Sequence, residues 1–234
     1  MRTEVLLIIP DIHNKIDRAE TIIKNAGADK VIFLGDYFDD FGDSHIDARK
    51  TAKWLKESLN KENRIHLWGN HDVCYAFPNN PYTRCTGFTE SKNKAVQEEL
   101  TEKEWSKLKF FHFEQGFLFT HAGLHSSYFP ENNEDIDVFL NKESDYAFRL
   151  LKKNKSHYFF RAGYSRGGQI PFGGIIWCDF LREFIPNDNA KQIFGHTPQR
   201  IPTLKGNSLC IDTHLMHYAK VQNNVASYYE YKNL

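Results

Sequence analysis

Short apolar runs separated by amphipathic stretches set the pattern of the first half of the chain. Val5–Pro10 (VLLIIP) carries no polar side chain and reads as a central strand buried on both faces. Asp17–Asn25 places its apolar residues at helical spacing, and Ala26-Gly27 supplies a stop. Lys30–Leu34 (KVIFL) predicts a second strand. Ser44 can cap a long helix running to about Leu59, with Ile46, Ala48, Ala52, Leu55 and Leu59 on or near one face. Ile65–Trp68 predicts a third strand. Strand, helix, strand, helix and strand in succession predict α/β layering with largely parallel pairing.

The second half is less regular. Val73–Asn93, rich in Pro, Asn, Thr and aromatic residues, reads as a loop, and Lys94–Leu108 as a helix. Phe117–Thr120 (FLFT) predicts a strand, residues 130–155 a polar helix, and residues 161–174, with five glycines, a loop. Ile175–Trp177 and Gln192–Phe194 read as short strands, and Ser208–Ile211 and Tyr218–Tyr231 as late, mainly antiparallel ones. No repeat, low-complexity tract or linker interrupts the pattern, so a single domain over residues 1–234 is expected.

Composition narrows the class. Of 234 residues, 41% are hydrophobic and 15% aromatic, enough for a packed core. Thirty basic and thirty acidic side chains cancel, which gives no general case for binding nucleic acid or an acidic membrane surface. The apolar run near the N-terminus is too short for a signal peptide or a membrane span, so a cytoplasmic protein is expected. Cys74, Cys85, Cys178 and Cys210 form no CxxC pair and read as reduced thiols. The eleven histidines are more informative, because several stand beside Gly, Asp or Thr at the ends of apolar runs.

Five strand ends carry Asp11-Ile12-His13, Gly35-Asp36-Tyr37-Phe38-Asp39, Gly69-Asn70-His71-Asp72, Thr120-His121-Ala122-Gly123 and Gly195-His196-Thr197-Pro198. In open α/β sheets the carboxyl ends of strands line the ligand crevice. Asp11 and His13, two apart, point the same way if that segment is extended. Asn70 offers a neutral oxygen where another carboxylate would overload a site with negative charge. Carboxylate, imidazole and amide donors without thiolate suit Mn, Fe or Zn.

DIH, GDYFDD, GNHD, THAG and GHTP together resemble the signature series of the calcineurin-like metallophosphoesterases, over residues 11–198. GHTP followed by Cys210-Ile211-Asp212-Thr213 resembles the phosphoprotein-phosphatase branch, with its bacterial serine/threonine phosphatases and dinucleoside-tetraphosphatases. Trp177-Cys178-Asp179 resembles the Trp-x-Asp segment of that branch. The resemblance implies a four-layer α/β/β/α sandwich of two mixed sheets with two divalent ions at the strand ends, most simply Mn²⁺. Asp11, His13 and Asp36 are implied to hold one ion. Asp36, Asn70, His121 and His196 are implied to hold the other, with Asp36 bridging. His71 is implied as the general acid and Asp39 as its partner, with Asp72 a turn or cap residue. The implied reaction is hydrolysis of phosphate monoesters, phosphoproteins among them, by hydroxide held on the metals.

One position departs from the branch. Its usual phosphate-clamping arginine after the second aspartate of Gly-Asp-x-x-Asp is Asp40 here. Arg166, Arg161 and Arg182, in or near the glycine-rich loop, are the candidate replacements. A diester carries one charge fewer than a monoester dianion and tolerates that loss better. A phosphodiesterase or dinucleoside-polyphosphate hydrolase is therefore the alternative, and a non-catalytic binding module a remote one. The expected partner is a phosphorylated protein or small molecule, not nucleic acid or membrane.

Overall fold

Every residue of β1 (Leu6–Ile9) is buried, as a strand without a polar position requires. Leu7 and Ile9 pack against the flanking helices, while Leu6 and Ile8 face a second sheet. The computed structural model describes residues 3–130 and 134–232. β1, β2 (Lys30–Phe33) and β3 (Arg64–His66) run parallel, linked by α1 (Ile16–Ala26) and α2 (His45–Ser58). Ser44 caps α2 by accepting from the amides of Ile46 and Asp47.

The chain continues through α3 (Asn70–Ala76), α4 (Glu90–Gln97), α5 (Glu102–Trp105), β4 (Phe111–Glu114) and β5 (Phe117–Thr120). It then runs through α6 (Ile136–Lys152), β6 (Lys191–Phe194), β7 (Thr203–Lys205), β8 (Ser208–Cys210), β9 (His217–Gln222) and β10 (Val225–Glu230). The first sheet has the order β10-β9-β1-β2-β3 and the second β4-β5-β6-β8-β7. Both are mixed: β9 and β10 are antiparallel in the first, and β4 and β7 in the second. Leu6, Ile8, Ile32 and Leu34 meet Phe119, Ile193, Leu209 and Ile211 between the sheets. The sheets also join at one edge, where the Lys109 amide donates to His66 and Trp68 donates back to Lys109. This is the α/β architecture of two mixed sheets flanked by helices that the sequence implied.

Several elements differ from the sequence reading. The expected loop over Val73–Asn93 contains most of α3 and the start of α4. The helix expected over Lys94–Leu108 breaks into α4 and α5, because Thr101 and Glu104 form a fresh capping box. β4 and β7 were not expected; β4 reaches β5 through Gln115-Gly116, both at positive φ, the two-residue hairpin turn that fits strand twist. Ile175–Trp177 is a turn, not a strand: Ile175 and Ile176 are buried and Trp177 half-buried, but Trp177 and Cys178 donate back to the Gly174 carbonyl. β8 pairs parallel with β6, so the late strands are only partly antiparallel. The region expected as helix over residues 130–155 yields α6, and residues 131–133 lie outside the described residues.

Candidate metal centre

Five strands deliver their polar ends to one place through unusual backbone. His13, Asp36, Asp39 and His196 all have positive φ, at 43°, 51°, 66° and 68°. Non-glycine residues there cost on the order of 1–3 kcal/mol each and persist where surrounding bonds over-determine them. Those bonds are present: the amides of Ile12 and His13 both donate to the Asp36 carbonyl, and Asn14 donates to Tyr37. Asp11 and His13 therefore meet across a tight turn, not along extended chain as their spacing suggested. A side chain at Gly69 would strike the Asp36 carboxylate, and one at Gly195 the Asp11 carboxylate, so both glycines permit close approach.

Asp72 is the cap residue expected, and more. Its carboxylate accepts from the amides of Gly69 at 2.8 Å, Asp36 at 2.8 Å and Tyr37 at 2.9 Å. It therefore locks the α3 N-terminus to the loop after β2.

The six predicted donors converge. His121 Nε2 lies 3.0 Å from Asn70 Oδ1, 3.1 Å from His196 Nδ1 and 3.3 Å from Asp36 Oδ2. His13 Nε2 lies 3.8 Å from the same Asp36 oxygen. Second contacts fix which atoms face inward. His121 Nδ1 donates to Leu34 O at 2.9 Å and His13 Nδ1 to Phe38 O at 2.8 Å, so each ring turns Nε2 to the cluster. Asn70 Nδ2 donates to Cys85 Sγ at 3.1 Å, which leaves its oxygen inward. Asp11, His13 and Asp36 form one potential ligand group, and Asp36, His121 and His196 another, with Asp36 common to both.

Lone pairs facing one another at about 3 Å repel unless a proton or a cation lies between them. The charges say the same. Burial would raise Asp36, but His121, His71 and His13 hold it far below the usual carboxylate range. Burial would lower His121, yet Asp36 and Asp11 push it up to about 9. Burial and then Asp212 hold Asp11 well above its ordinary value, and burial and then Asp36 lift Asp72 to about 7. Burial and the neighbouring His121 drive His196 well down, and its Nε2 is buried without a hydrogen-bond partner among the described residues. A site with four buried carboxylates, Asp11, Asp36, Asp72 and Asp212, of which Asp11 and Asp72 are each raised by burial and a neighbouring aspartate, is short of positive charge. The donor set and this deficit fit divalent cations.

His71 stands at the edge of the cluster. Its amide donates to Asp36 Oδ1 at 2.9 Å, and its Nδ1 lies 2.9 Å from Asp39 Oδ2. Burial opposes protonation, but Asp36 and Asp39 hold its pKa well above the ordinary value; the Cys85 thiol lies beside the ring. Of the three arginines, Arg166 reaches the site: it pairs with Asp179 at 2.9 Å and touches Thr197, next to His196. Arg161 lies over the Tyr82 ring, and Arg182 is exposed. Asp40 is paired with Lys15 at 2.8 Å. Sequence reasoning missed Lys15, Tyr75 and Lys92 around Asp39 and Asp40; only the packing of helices on the loop after β2 reveals them.

Comparison with solved structures bears on the fold. A cold-active protein tyrosine phosphatase superposes with a TM-score of 0.62 at 14% identity, covering 97% of this chain and 78% of its own. A protein serine/threonine phosphatase from Saccharomyces cerevisiae gives 0.54 at 13% identity, covering 100% and 82%. No curated protein sequence matches the chain significantly. The family model described as calcineurin-like phosphoesterase matches residues 5–200, the span that holds all five strand ends. The shared Asp36, the inward-turned histidines and that match place the chain in the calcineurin-like phosphoesterase family, as a metal-dependent hydrolase of phosphoric esters.

Proposed function

We propose that the protein hydrolyses phosphate monoesters, on a phosphorylated protein or small molecule, with two divalent ions and His71 as general acid. Asp11, His13 and Asp36 would hold one ion, and Asp36, Asn70, His121 and His196 the other; Mn²⁺ suits the imidazoles, with Fe or Zn as alternatives. When bound, such ions supply Lewis acidity toward phosphoryl oxygens and water. The chain's own residues do the rest. Asp39 keeps the His71 ring oriented and favours its charged form, so that a proton is ready for the departing alkoxide. Arg166, steadied by Asp179 and bonded to Thr197 beside His196, is the arginine placed to meet a phosphate. Lys15 pairs with Asp40 and offsets the negative charge that stands where the arginine would be. The observation that carries this reading is the short His71–Asp39 contact at the rim of the donor cluster.

Asp40 in place of a clamping cation also supports a second reading, a phosphodiesterase or dinucleoside-polyphosphate hydrolase on the same residues. Rates on an aryl monoester, an aryl diester, a phosphopeptide and a dinucleoside polyphosphate separate the two.

The acid is tested directly. His71→Asn should keep its metal content by elemental analysis, yet lose roughly 10²–10⁴ in kcat on an alkyl phosphate. A nitrophenyl phosphate, whose leaving group departs without a proton, should lose least. Asp39→Asn should reproduce this split more mildly. An equal loss on both substrates at full metal content would remove His71 from the acid role.

A further inference from the structure

Lys92, on the first turn of α4, points inward and is 5% exposed. Its ammonium lies 2.7 Å from Asp39 Oδ1 and 2.8 Å from Asp43 Oδ1. Lysine is almost never so buried unless paired, and a buried pair rarely outperforms apolar packing of the same volume. Stability is thus a poor account of this residue.

Its contacts suggest another. Asp39 Oδ1 also accepts from the Tyr75 hydroxyl at 2.6 Å, and Oδ2 faces His71 Nδ1. Asp43 in turn accepts from Asn14 Nδ2 at 2.9 Å, and Asn14 Oδ1 accepts from the Thr51 hydroxyl at 2.6 Å. An unbroken polar chain therefore runs from Thr51 on α2 through Asn14, Asp43, Lys92 and Asp39 to the His71 ring. A side chain at Gly87, in the loop before α4, would strike the Asp39 carboxylate, so that loop presses on the carboxylate from the other side. The one ammonium thus ties the two carboxylates together. Without Lys92, Asp39 and Asp43 would be two close anions with no cation between them, and Asp39 Oδ1 would keep the Tyr75 hydroxyl as its hydrogen-bond donor.

We propose that Lys92 is a positioning residue for the reaction: it pins the Asp39 carboxylate so that His71 presents its acidic edge to the leaving group. This rests on the reading of His71 as general acid. Burial would raise Asp39, yet His71, Lys92 and Tyr75 hold it below the usual carboxylate range, in keeping with an anionic anchor for the ring.

The test uses Lys92→Met, which keeps the stem and removes the charge. With metal content and folding as in the wild type, kcat on an alkyl phosphate should fall about 10–100-fold, on nitrophenyl phosphate less than about 3-fold, and KM should hold within about 2-fold. In a His71→Asn background, Lys92→Met should cost nothing further on either substrate. In the metal-free protein, the slowly exchanging Nδ1–H resonance of His71 should be lost in Lys92→Met. If Met does not fold, Lys92→Gln, which keeps one donor, carries the same expectations. Equal losses on both substrates, a further loss in the His71→Asn background, or an unchanged Nδ1–H resonance overturns the assignment. A His71→Asn variant without the leaving-group split overturns the acid reading itself, and the Lys92 assignment with it. A split in His71→Asn but not in Lys92→Met overturns Lys92 alone.

Discussion

His66 shows how one buried imidazole sets acid sensitivity away from the metal centre. It stacks on Phe33 with ring centroids 4.4 Å apart, and its two nitrogens contact Ser58 Oγ and Tyr37 OH, each at 3.0 Å. Burial, and then the Arg64 charge, lower its pKa to about 3. The unfolded chain takes up this proton near pH 6.5, roughly three units sooner, so protonation favours unfolding. The contribution is present above about pH 6.5 and is lost as pH falls toward 3, at about 1.4 kcal/mol per unit. His66→Gln, which hydrogen-bonds without titrating, should flatten the fall in denaturant-measured stability between about pH 6 and 4 by that slope. Parallel pH dependences in the two proteins would count against it. His66 was not singled out in the sequence, whereas Asp11, Asp36 and His121 were, because donors at strand ends carry a positional signal and a mid-core histidine does not. Lys92 and Lys15 were illegible for a related reason. Each acts across a helix–loop contact, and nothing in the order of residues says which helix face meets which loop.

At the scale of elements, α3 is held mainly by its entry. It is seven residues long and is separated from the end of β3 by three residues, with Asp72 gathering three amides from two different segments. Asp72→Ala would leave those amides buried and unpaired, at a cost of roughly 3–5 kcal/mol overall. Unfolding by denaturant and metal titration should show stability and affinity falling together, since the same loop carries Asp36. A variant with ordinary stability but weak metal binding would mean that Asp72 serves the site and not the loop. The signal for α3 was present in the acid at the third helical position, but a helix this short has no periodicity to support it. Ile175–Trp177 failed the other way: a short apolar run looks alike in a strand and in a turn packed against the core. β1, α1 and α2 were legible because the apolar pattern was clear and, for the helices, Gly27 after α1 and Ser44 before α2 marked an end.

Across the whole molecule, the candidate site is a seam. Asp11, Asp36 and Asn70 come from the first sheet's strand ends, and His121 and His196 from the second's. Ions held there would tie the sheets together. Free Mn²⁺ at about 100 times its Kd should stabilise the fold by about 2.7 kcal/mol. For a chain of this size that raises Tm by roughly 5–10 °C. Ca²⁺ should do less, because the imidazoles favour a transition metal, and Asp36→Asn should abolish most of the effect. Thermal melts with Mn²⁺, Ca²⁺ and chelator check this, and a Tm indifferent to chelation of metal-loaded protein would sink it. The two-sheet arrangement came from the motif resemblance; hydrophobic pattern alone suggested parallel opening strands and late, mainly antiparallel ones, without dividing them into sheets.

The first sheet is completed by distant partners: Leu6 pairs with Lys30 on one side and with Val221 on the other. During synthesis, β1 and β2 leave the ribosome early, while β9 follows about 200 residues later. At translation speeds of about 5–20 residues per second, the apolar LLII edge waits on the order of 10–40 s for its neighbour. Through that interval the nascent chain carries an open template for strand addition. Until β9 arrives, that edge is where a misplaced strand can pair.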